Sequence, residues 1–382
     1  MPSGLEEIKS LRVMSNATRV GTLAMTRDGL TAFEYDDEWL ATGYAISPLS
    51  LPLTKRVYVP EHLPFEGVWG VFNDSLPDGW GRLLVDRMLR REHIDPAQVS
   101  SIARLAIVGS SGMGALTYEP EFTFDGGGSA EDLDRLSTEC LRLLSDEYPD
   151  DLDALFTLGG SSGGARPKIL VRWKGSDWII KFPSLLDSAE AGASEYRYAQ
   201  VASDCGITMP EVNLFPSKIH TGYFGVRRFD RCTLASGETR RVHVASVSAL
   251  LETSHRIPNL DYQLLMRLCL RITDSFDELE HLYRLMCFNV LAHNRDDHSR
   301  NFSFVYDDET AAWALSPAYD LTYSTGPGGE QSTTVNGKGS NIAIADMVEL
   351  GAAHGLSRRK CGEIAREIEE KTQELVRFPL RQ

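Results

Sequence analysis

The sequence lacks long hydrophobic runs, paired cysteines and an excess of basic residues. No stretch approaches the ~20 apolar residues that a membrane-spanning helix requires, so we expect no membrane association. The six cysteines form no Cys-x-x-Cys pair, which disfavours a zinc site or a disulfide framework and favours a reducing, cytoplasmic location. Acidic residues number 54 against 39 basic ones, and the formal charge of −15 disfavours unaided binding to nucleic acid.

The sequence does have the ordinary composition of a folded protein, with 42% hydrophobic and 24% charged residues in a chain of 382. This length predicts two domains or one large domain with lobes. Short apolar segments from residue 11 to about 60 predict strands, whereas the chain from about 260 onward is mainly helical, with polar loops at 295–345. We therefore predict an α+β protein with a β-rich N-terminal lobe and a mainly helical C-terminal lobe.

The first motif with chemical meaning is a glycine-rich segment, GGSSGGARPK, at residues 159–168. Because glycine has no side chain, backbone amides in such a segment can approach phosphate oxygens closely. The residues at 156–183 predict a strand, a glycine turn, a strand, a turn and a further strand. Protein kinases cover phosphates with a glycine-rich loop of this kind. Taken alone, the motif is better explained as an ordinary glycine-rich hairpin.

A lysine follows the glycine-rich segment near the end of an apolar strand. Lys181 closes the sequence WIIK and is placed to reach back toward phosphates at the glycine turn. A lysine in this role pairs with a carboxylate on the next helix, where Glu190 and Glu195 are the candidates and Glu195 is preferred. The alternative is a surface lysine whose ammonium group reaches solvent.

The strongest motif is HNRDDHSRNFS at residues 293–303. Asp296 and Asn301 have the spacing of a kinase catalytic loop, in which the aspartate accepts the substrate proton and the asparagine holds Mg²⁺. Asp320 follows a strand-like segment, where a further metal-binding carboxylate is expected. A polar surface loop would give the same spacing, and a metal-dependent hydrolase could use Asp296, His298 and Asp320 as ligands. A glycine turn, a strand lysine, a helical glutamate, the Asp–Asn pair and a further aspartate occur along the chain in the order found in kinases. This order favours phosphoryl transfer.

Together with motifs in the N-terminal part, these segments resemble the HipA toxin family of serine/threonine kinases, over roughly residues 20–345. The resemblance is carried by FEYDDEWL at 33–40, PLSLP at 48–52, FNDSLPDG at 72–79, GMGAL at 112–116, SSGGARPK at 161–168, RFDR at 228–231, DDHSRNFS at 296–303 and PAYD at 317–320. It implies a two-lobed, protein-kinase-like fold with an extra N-terminal subdomain. It also implies an ATP- and Mg²⁺-dependent protein kinase.

The resemblance implies a role for each matching residue of the C-terminal motifs. Asp296 would be the catalytic base, and His298 would support the catalytic loop. Asn301 and Asp320 would bind Mg²⁺. These roles rest on the family likeness and add to the spacing argument given above.

The resemblance also implies a nucleotide site. Lys181 would contact the ATP phosphates. Arg227 to Phe229 would lie at the hinge beside the adenine, with Asp230 near the ribose. The glycine-rich loop would contribute Ser161, Gly163, Gly164 and Lys168 to cofactor binding.

In the family, a serine of the glycine-rich loop is autophosphorylated, which expels the loop and silences the kinase. By position this serine is Ser161, with Ser162 as the alternative. A phosphoserine carries about −1.5 to −2 charges and would be repelled by the ATP phosphates beneath it. The implied self-silencing therefore has a physical cause.

The domains implied are a HipA N-terminal subdomain at 1–125, a nucleotide-binding part at 126–235, and a helical lobe at 236–382 with the catalytic loop. The implied biological role is that of a toxin in a toxin–antitoxin system. The implied partners are a protein substrate, in the best known members an aminoacyl-tRNA synthetase, and a helix-turn-helix antitoxin of the HipB type. DNA would be contacted only indirectly, through that antitoxin.

Two alternatives to a toxin kinase remain at this stage. One is a weakly active pseudokinase that serves as a co-repressor or scaffold with a DNA-binding antitoxin. The other is a small-molecule kinase of the aminoglycoside or choline type. His243, His255 and His281 are interpreted as surface or helix-end histidines without a role in the site.

Overall fold

The computed structural model describes residues 4–5, 7–124, 132–234 and 237–377. The predicted domain boundaries near 125 and 235 lie outside these residues. None of the described helices is long and apolar enough to cross a membrane.

The N-terminal region is an antiparallel five-stranded sheet with helices packed on it, in the strand order β4-β3-β2-β1-β5. Its elements are β1 (Ser10–Ser15), β2 (Thr18–Met25), β3 (Thr31–Tyr35), α1 (Asp37–Thr42), β4 (Val57–Tyr58), α2 (Gly70–Asn73), α3 (Gly79–Arg91), α4 (Ser101–Val108) and β5 (Leu116–Glu119), with a short 3-10 helix at Pro96–Gln98. Gly29 adopts a φ of +80° in the turn that joins β2 to β3, as the Asp-Gly signal predicts. The sheet buries apolar side chains such as Val13, Leu23 and Phe33 against the helices.

The middle region is a four-stranded antiparallel sheet in the order β6-β7-β9-β8, with a two-stranded ribbon beside it. Its elements are α5 (Leu133–Leu144), α6 (Leu152–Gly159), β6 (Lys168–Trp173), β7 (Ser176–Lys181), α7 (Ala191–Asp204), β8 (Val212–Phe215), β9 (Tyr223–Arg227), β10 (Arg231–Thr233) and β11 (Thr239–Arg241). Strands β6 and β7 form the hairpin predicted after the glycine-rich segment, with Lys168 opposite Lys181.

One local prediction is wrong: a helix, not a strand, precedes the glycine-rich segment. Helix α6 begins after Asp151, whose side chain accepts a hydrogen bond from the Ala154 amide at 3.2 Å. Leu152 and Leu155 are buried at helical spacing. A short apolar run cannot be assigned to helix or strand by periodicity alone, and here the capping aspartate is the feature that distinguishes them.

The C-terminal region is mainly helical, as predicted, with a three-stranded sheet in the order β12-β14-β15. Its elements are β12 (His243–Ser246), α8 (Val247–Leu250), β13 (Leu260–Asp261), α9 (Tyr262–Thr273), α10 (Phe276–Leu291), β14 (Ser303–Asp307), β15 (Ala312–Leu315), β16 (Thr333–Thr334), α11 (Ile344–Ala353) and α12 (Arg358–Arg377), with a short 3-10 helix at Ser299–Asn301. Its apolar core lies between α9, α10 and α12 and also includes Tyr198 and Ala202 of α7 from the middle region, while further clusters lie in the other regions. Helix α10 leads directly into the motif at 293–303.

Candidate functional site

A cleft of about 660 Å³ lies between the middle sheet and the C-terminal region. Its wall contains the predicted residues Ser161, Ser162, Gly163, Gly164, Lys168, Lys181, Arg227, Phe229, Asp296, His298, Asn301 and Asp320. Of the predicted site residues, Asp230 alone is not part of this wall. Apolar side chains complete the wall near β9, among them Leu170, Ile179, Met209, Val226 and Leu321. Such a surface suits a flat aromatic base.

Lys181 is the central cation of the cleft. It ends β7, and its Nζ donates to the carboxylates of both Glu195 and Asp320. The preference for Glu195 over Glu190 is confirmed, since Glu195 is buried on α7 whereas Glu190 precedes that helix and is exposed. Burial alone would lower the pKa of Lys181, but the two carboxylates raise it above its ordinary value. The ammonium group therefore remains charged.

Asp320 combines an unusual backbone with an accessible carboxylate. Its φ of +53° lies in the left-handed region that non-glycine residues rarely adopt. Desolvation would raise the pKa of Asp320, but Lys181 and Lys168 hold it well below its ordinary value. About 41% of the side chain remains exposed. The carboxylate is thus ionised and has room for a further ligand.

Asp296 and Asn301 are held together by the geometry of their loop. The Asn301 amide nitrogen donates to the Asp296 carbonyl at 2.6 Å. His298 Nδ1 accepts a hydrogen bond from the Arg300 amide at 3.3 Å, which leaves Nε2 facing the Asp296 carboxylate at 3.9 Å. Desolvation raises the pKa of Asp296, although His298 opposes this shift. A carboxylate with a raised pKa in a cleft is suited to accept a proton.

Asp297, which is fully buried, anchors the loop that carries Asp296 and Asn301. Its carboxylate accepts hydrogen bonds from the Tyr262 hydroxyl at 2.8 Å, the Gln331 amide at 3.1 Å and the Thr333 backbone amide at 3.1 Å. Burial raises the pKa of Asp297 to about 6. Adjacent aspartates therefore have different tasks: Asp297 fixes the loop, and Asp296 is left accessible.

The donor set of Asn301 and Asp320 fits a Mg²⁺ ion, which these two residues would hold. Asn301 uses its amide nitrogen within the loop, which leaves its amide oxygen as a ligand, and Asp320 has an exposed carboxylate. Mg²⁺ prefers such oxygen donors and usually takes only one or two carboxylates from the protein. No cluster of three or more His, Cys, Asp or Glu side chains suited to a metal occurs among the described residues. Asp296, His298 and Asp320 therefore do not form the three-ligand site that the hydrolase alternative requires.

The glycine-rich loop is folded over the cleft. Lys168 is buried, its Nζ donates to the Gly163 carbonyl, and burial lowers its pKa to about 8. The two serines differ in environment. Ser162 is buried and donates to the Gly159 carbonyl at 2.6 Å, whereas Ser161 is half-buried and donates to the Ser111 carbonyl at 3.1 Å.

The hinge candidates lie at the end of β9. The Arg227 amide donates to the Glu211 carbonyl at 2.8 Å, and its guanidinium lies 3.6 Å from the Glu211 carboxylate. The Phe229 ring stacks on Tyr319, with centroids 5.9 Å apart. Both residues line the cleft, so each can contact a bound ligand.

The expected ribose contact of Asp230 is not consistent with its position. Asp230 is fully buried, and its carboxylate accepts hydrogen bonds from Arg228 at 2.7 Å, Arg231 at 2.7 Å and the Gly114 amide at 2.7 Å. Burial would raise its pKa, but Arg228 above all holds the pKa at about 2. The carboxylate is saturated, and it joins the hinge to the loop at 112–114 of the N-terminal region.

Sequence reasoning missed the contribution of the N-terminal region to the cleft. Residues 111–116 and the segment around Asp78 form part of the wall. The interpretation of His243 as a surface residue is also wrong, since it is only 2% exposed and its Nε2 lies 2.8 Å from the Ile46 carbonyl. His255 lines the cleft with its ring 5.2 Å from that of His298. The motif at 72–79 was a signal for this contribution, although it carries no recognisable chemistry.

Comparison with known proteins agrees with the geometry. The family model of the HipA N-terminal domain matches residues 11–119, and that of the HipA-like C-terminal domain matches residues 160–376, more than half of the chain. A curated relative, "Putative kinase Y4dM" of Sinorhizobium fredii (strain NBRC 101917 / NGR234), is 25% identical over 385 residues, which cover 92% of this chain and 87% of the relative.

Among solved structures, HipA of the Shewanella oneidensis MR-1 toxin–antitoxin system matches with a TM-score of 0.70 and 16% identity. It was solved with HipB and its operator DNA, and the match covers 96% of this chain and 91% of that one. The likeness confirms the predicted two-lobed, kinase-like α+β fold. The chain belongs to the HipA-like family.

Proposed function

We propose that this protein is an ATP- and Mg²⁺-dependent serine/threonine protein kinase. The observation that carries the proposal is the bonding of Lys181 to both Glu195 and Asp320 in the cleft that also contains Asp296 and Asn301. A kinase needs this set, because its phosphoryl transfer depends on positioning and on charge stabilisation. Membership of the HipA-like family and the relative named as a kinase support the same activity.

In the proposed reaction each residue has a defined task. Lys181 binds the nucleotide phosphates while Glu195 holds its ammonium in place. Asp296 accepts the proton of the acceptor serine as that hydroxyl attacks the γ-phosphorus of ATP, and the bond from this phosphorus to the oxygen of ADP breaks. Mg²⁺, when bound by Asn301 and Asp320, supplies positive charge against the phosphates. The glycine-rich loop excludes water from the transfer.

The finer proposal is that the protein is the toxin of a toxin–antitoxin system and silences itself by phosphorylating its glycine-rich loop. Ser161 is the better acceptor, since it is half-buried whereas Ser162 is buried and hydrogen-bonded within the loop. A phosphate on Ser161 would place new negative charge next to that of the nucleotide. This repulsion would expel the loop.

The proposed partners are a protein substrate, for which an aminoacyl-tRNA synthetase is the candidate, and an antitoxin of the HipB type. The Shewanella oneidensis structure, a HipA with HipB and operator DNA, supports the second partner. The net charge of −15 suits contact with DNA only through such a partner. We place the protein in the cytoplasm on the evidence of its unpaired cysteines.

The test is incubation of the purified protein with Mg²⁺ and γ-labelled ATP, followed by mass spectrometry of the glycine-rich loop. We expect label on Ser161, loss of this label in Ser161→Ala, and retention in Ser162→Ala. Asp296→Ala should lower the rate about 10²–10⁴-fold, whereas Glu190→Gln, at an exposed position outside the cleft, should leave it unchanged. Absence of any phosphoryl transfer, to itself or to lysate proteins, would contradict the proposal and favour the pseudokinase alternative.

A further inference from the structure

The segment at 73–81 of the N-terminal region lies between the glycine-rich loop and the catalytic loop. It contains most of the motif FNDSLPDG, to which neither the family likeness nor the proposed chemistry assigns a task. Asp78 and Gly79 line the cleft together with both loops. The segment forms hydrogen bonds with each of the two loops.

On one side, the segment binds the backbone of the glycine-rich loop. The Asp78 carboxylate accepts a hydrogen bond from the Gly164 amide. The Trp80 amide donates to the Gly164 carbonyl at 2.9 Å, and the Trp80 indole donates to the Lys168 carbonyl at 3.1 Å. Gly164 is thus held by both of its backbone polar groups.

Two glycines allow this close approach. A Cβ atom on Gly79 would lie 2.5 Å from the Gly164 carbonyl oxygen, and one on Gly81 would lie 2.1 Å from the Ser162 carbonyl oxygen. Real Cβ atoms do not come so near to backbone oxygens. The segment at 79–81 is therefore fitted to the glycine-rich loop in its present position over the cleft.

On the other side, the same carboxylate binds the catalytic loop. The second Asp78 oxygen accepts a hydrogen bond from the Arg300 guanidinium, which also donates to the Asn73 carbonyl at 3.1 Å. The Arg300 carbonyl in turn accepts from the Tyr319 hydroxyl at 2.8 Å, next to Asp320. One carboxylate therefore connects the loop that covers the phosphates to the loop that carries the proposed base and metal ligands.

We propose that Asp78 is a positioning residue that holds the glycine-rich loop closed and in register with the catalytic loop. The proposal rests on the proposed kinase function for its effect on rate, but its structural part stands without it. The Asp78 side chain is 19% exposed, so its hydrogen bond to Arg300 is partly shielded from water, whereas its hydrogen bond to Gly164 lies at the exposed part of the glycine-rich loop. Charge-assisted bonds of this kind are stronger than neutral ones.

The first measurement is hydrogen exchange of the full-length protein without nucleotide, followed on the peptide that spans the glycine-rich loop. In Asp78→Ala we expect exchange at the Gly164 amide to accelerate roughly 10-fold or more, because its acceptor is gone. Asp78→Asn keeps an oxygen for Gly164 but loses the charge that binds Arg300, so it should restore part of the protection. This readout requires no phosphoryl transfer.

The matched control is Asp86→Ala. Asp86 lies in α3 in the same region, its side chain is 23% exposed, and it pairs with Arg104 at 2.8 Å; neither residue lines the cleft. It should destabilise the protein without changing exchange in the glycine-rich loop. Equal acceleration in the Asp78 and Asp86 variants would overturn the proposal, because the effect would then be general loss of stability.

The second measurement is the dependence of labelling rate on ATP concentration. We expect Asp78→Ala to raise the KM for ATP and to lower kcat, each about 10-fold, with Asp86→Ala unchanged. If exchange responds as expected but neither variant nor wild type transfers phosphate, the kinase function fails and the positioning of the loop stands. If exchange at Gly164 is unchanged in Asp78→Ala, the positioning role fails whatever the activity.

Discussion

Two aspartates that the sequence placed at the nucleotide site have opposite environments. Asp320 bonds to Lys181 but remains 41% exposed in the cleft, so it can take a further ligand. Asp230 is fully buried and saturated by Arg228, Arg231 and the Gly114 amide. Both pKa values are depressed by neighbouring cations. The two carboxylates differ in their exposure to the cleft. Asp320 is exposed and can bind a ligand, whereas the buried Asp230 joins two parts of the fold.

A third carboxylate, that of Glu252, extends the comparison because it forms no ion pair within the part of the chain that the structure describes. Glu252 follows α8, and both of its oxygens lie 3.1 Å from the Gly70 amide of the N-terminal region. Burial raises the pKa of Glu252 to about 7, with a further contribution from the like charge of Asp74. Asp320 therefore belongs to an open ion pair, Asp230 to a closed ion cluster, and Glu252 is a half-buried carboxylate that forms no ion pair with the described residues.

The largest effect on activity is expected at the open ion pair of Lys181 and Asp320. Asp320→Ala should lower the rate of labelling by about 10³-fold or more, because the proposed metal site loses a carboxylate ligand and the negative charge of that carboxylate. Lys181 keeps Glu195 as its partner, so the unfolding free energy should change less than in any Asp230 variant. The rate is measured with γ-labelled ATP and the stability by urea titration. Retention of full activity would remove Asp320 from the site.

At the closed cluster around Asp230 we expect the main loss to be in stability, not in activity. Asp230→Ala leaves Arg228 and Arg231 buried without their anion, at 7% and 8% exposure. We expect a loss of about 3–5 kcal/mol in the free energy of unfolding. Asp230→Asn, which keeps the shape and some hydrogen bonds, should lose less. An Asp230→Ala protein of normal stability with weakened ATP affinity would restore the ribose interpretation.

The uncompensated carboxylate predicts a pH dependence with a defined sign. Between pH 4.5 and about 7 the folded protein binds more protons at Glu252 than the unfolded chain, so this residue's contribution to stability falls as pH rises. Glu252→Gln should therefore be more stable than wild type above pH 7, by about 1–3 kcal/mol. The two proteins should converge near pH 4.5. A difference that does not vary with pH would contradict the assignment.

The smallest effect is expected for an exposed pair. Lys55 lies 2.7 Å from Asp37, but the two side chains are 67% and 75% exposed. Lys55→Ala should leave the urea midpoint unchanged within error, since solvent screens such a pair. A clear loss of stability would show that a short ion pair stabilises this protein even when both side chains are exposed.

Much of the fold and of the site could be predicted because the signals were local. The spacing of Asp296 and Asn301 fixes them within one short loop, and the strand that ends in Lys181 is a clear apolar run. Glu190 and Glu195 were both candidates from the same predicted helix, and the structure confirms the preference for Glu195. The α+β organisation followed from a change of periodicity along the chain.

The parts that could not be predicted depend on contacts between distant segments. Asp230 is buried by the loop at 112–114, more than a hundred residues earlier in the chain. Asp78 acquires its partners only when Gly164 and Arg300 come together around it. His243 is buried, with its ring against Tyr44 and Trp313 and its Nε2 2.8 Å from the Ile46 carbonyl. Contacts between segments so far apart in the chain cannot be predicted from the local sequence around either residue.

The division of the cleft wall among separated stretches has a consequence for synthesis and breakdown. The wall needs residues from 74–79, from the glycine-rich loop and from 296–320. A chain emerging from the ribosome therefore has no complete cleft until the last of these has folded. For the same reason, a protease cut between the first two stretches leaves no single fragment that contains the whole cleft wall.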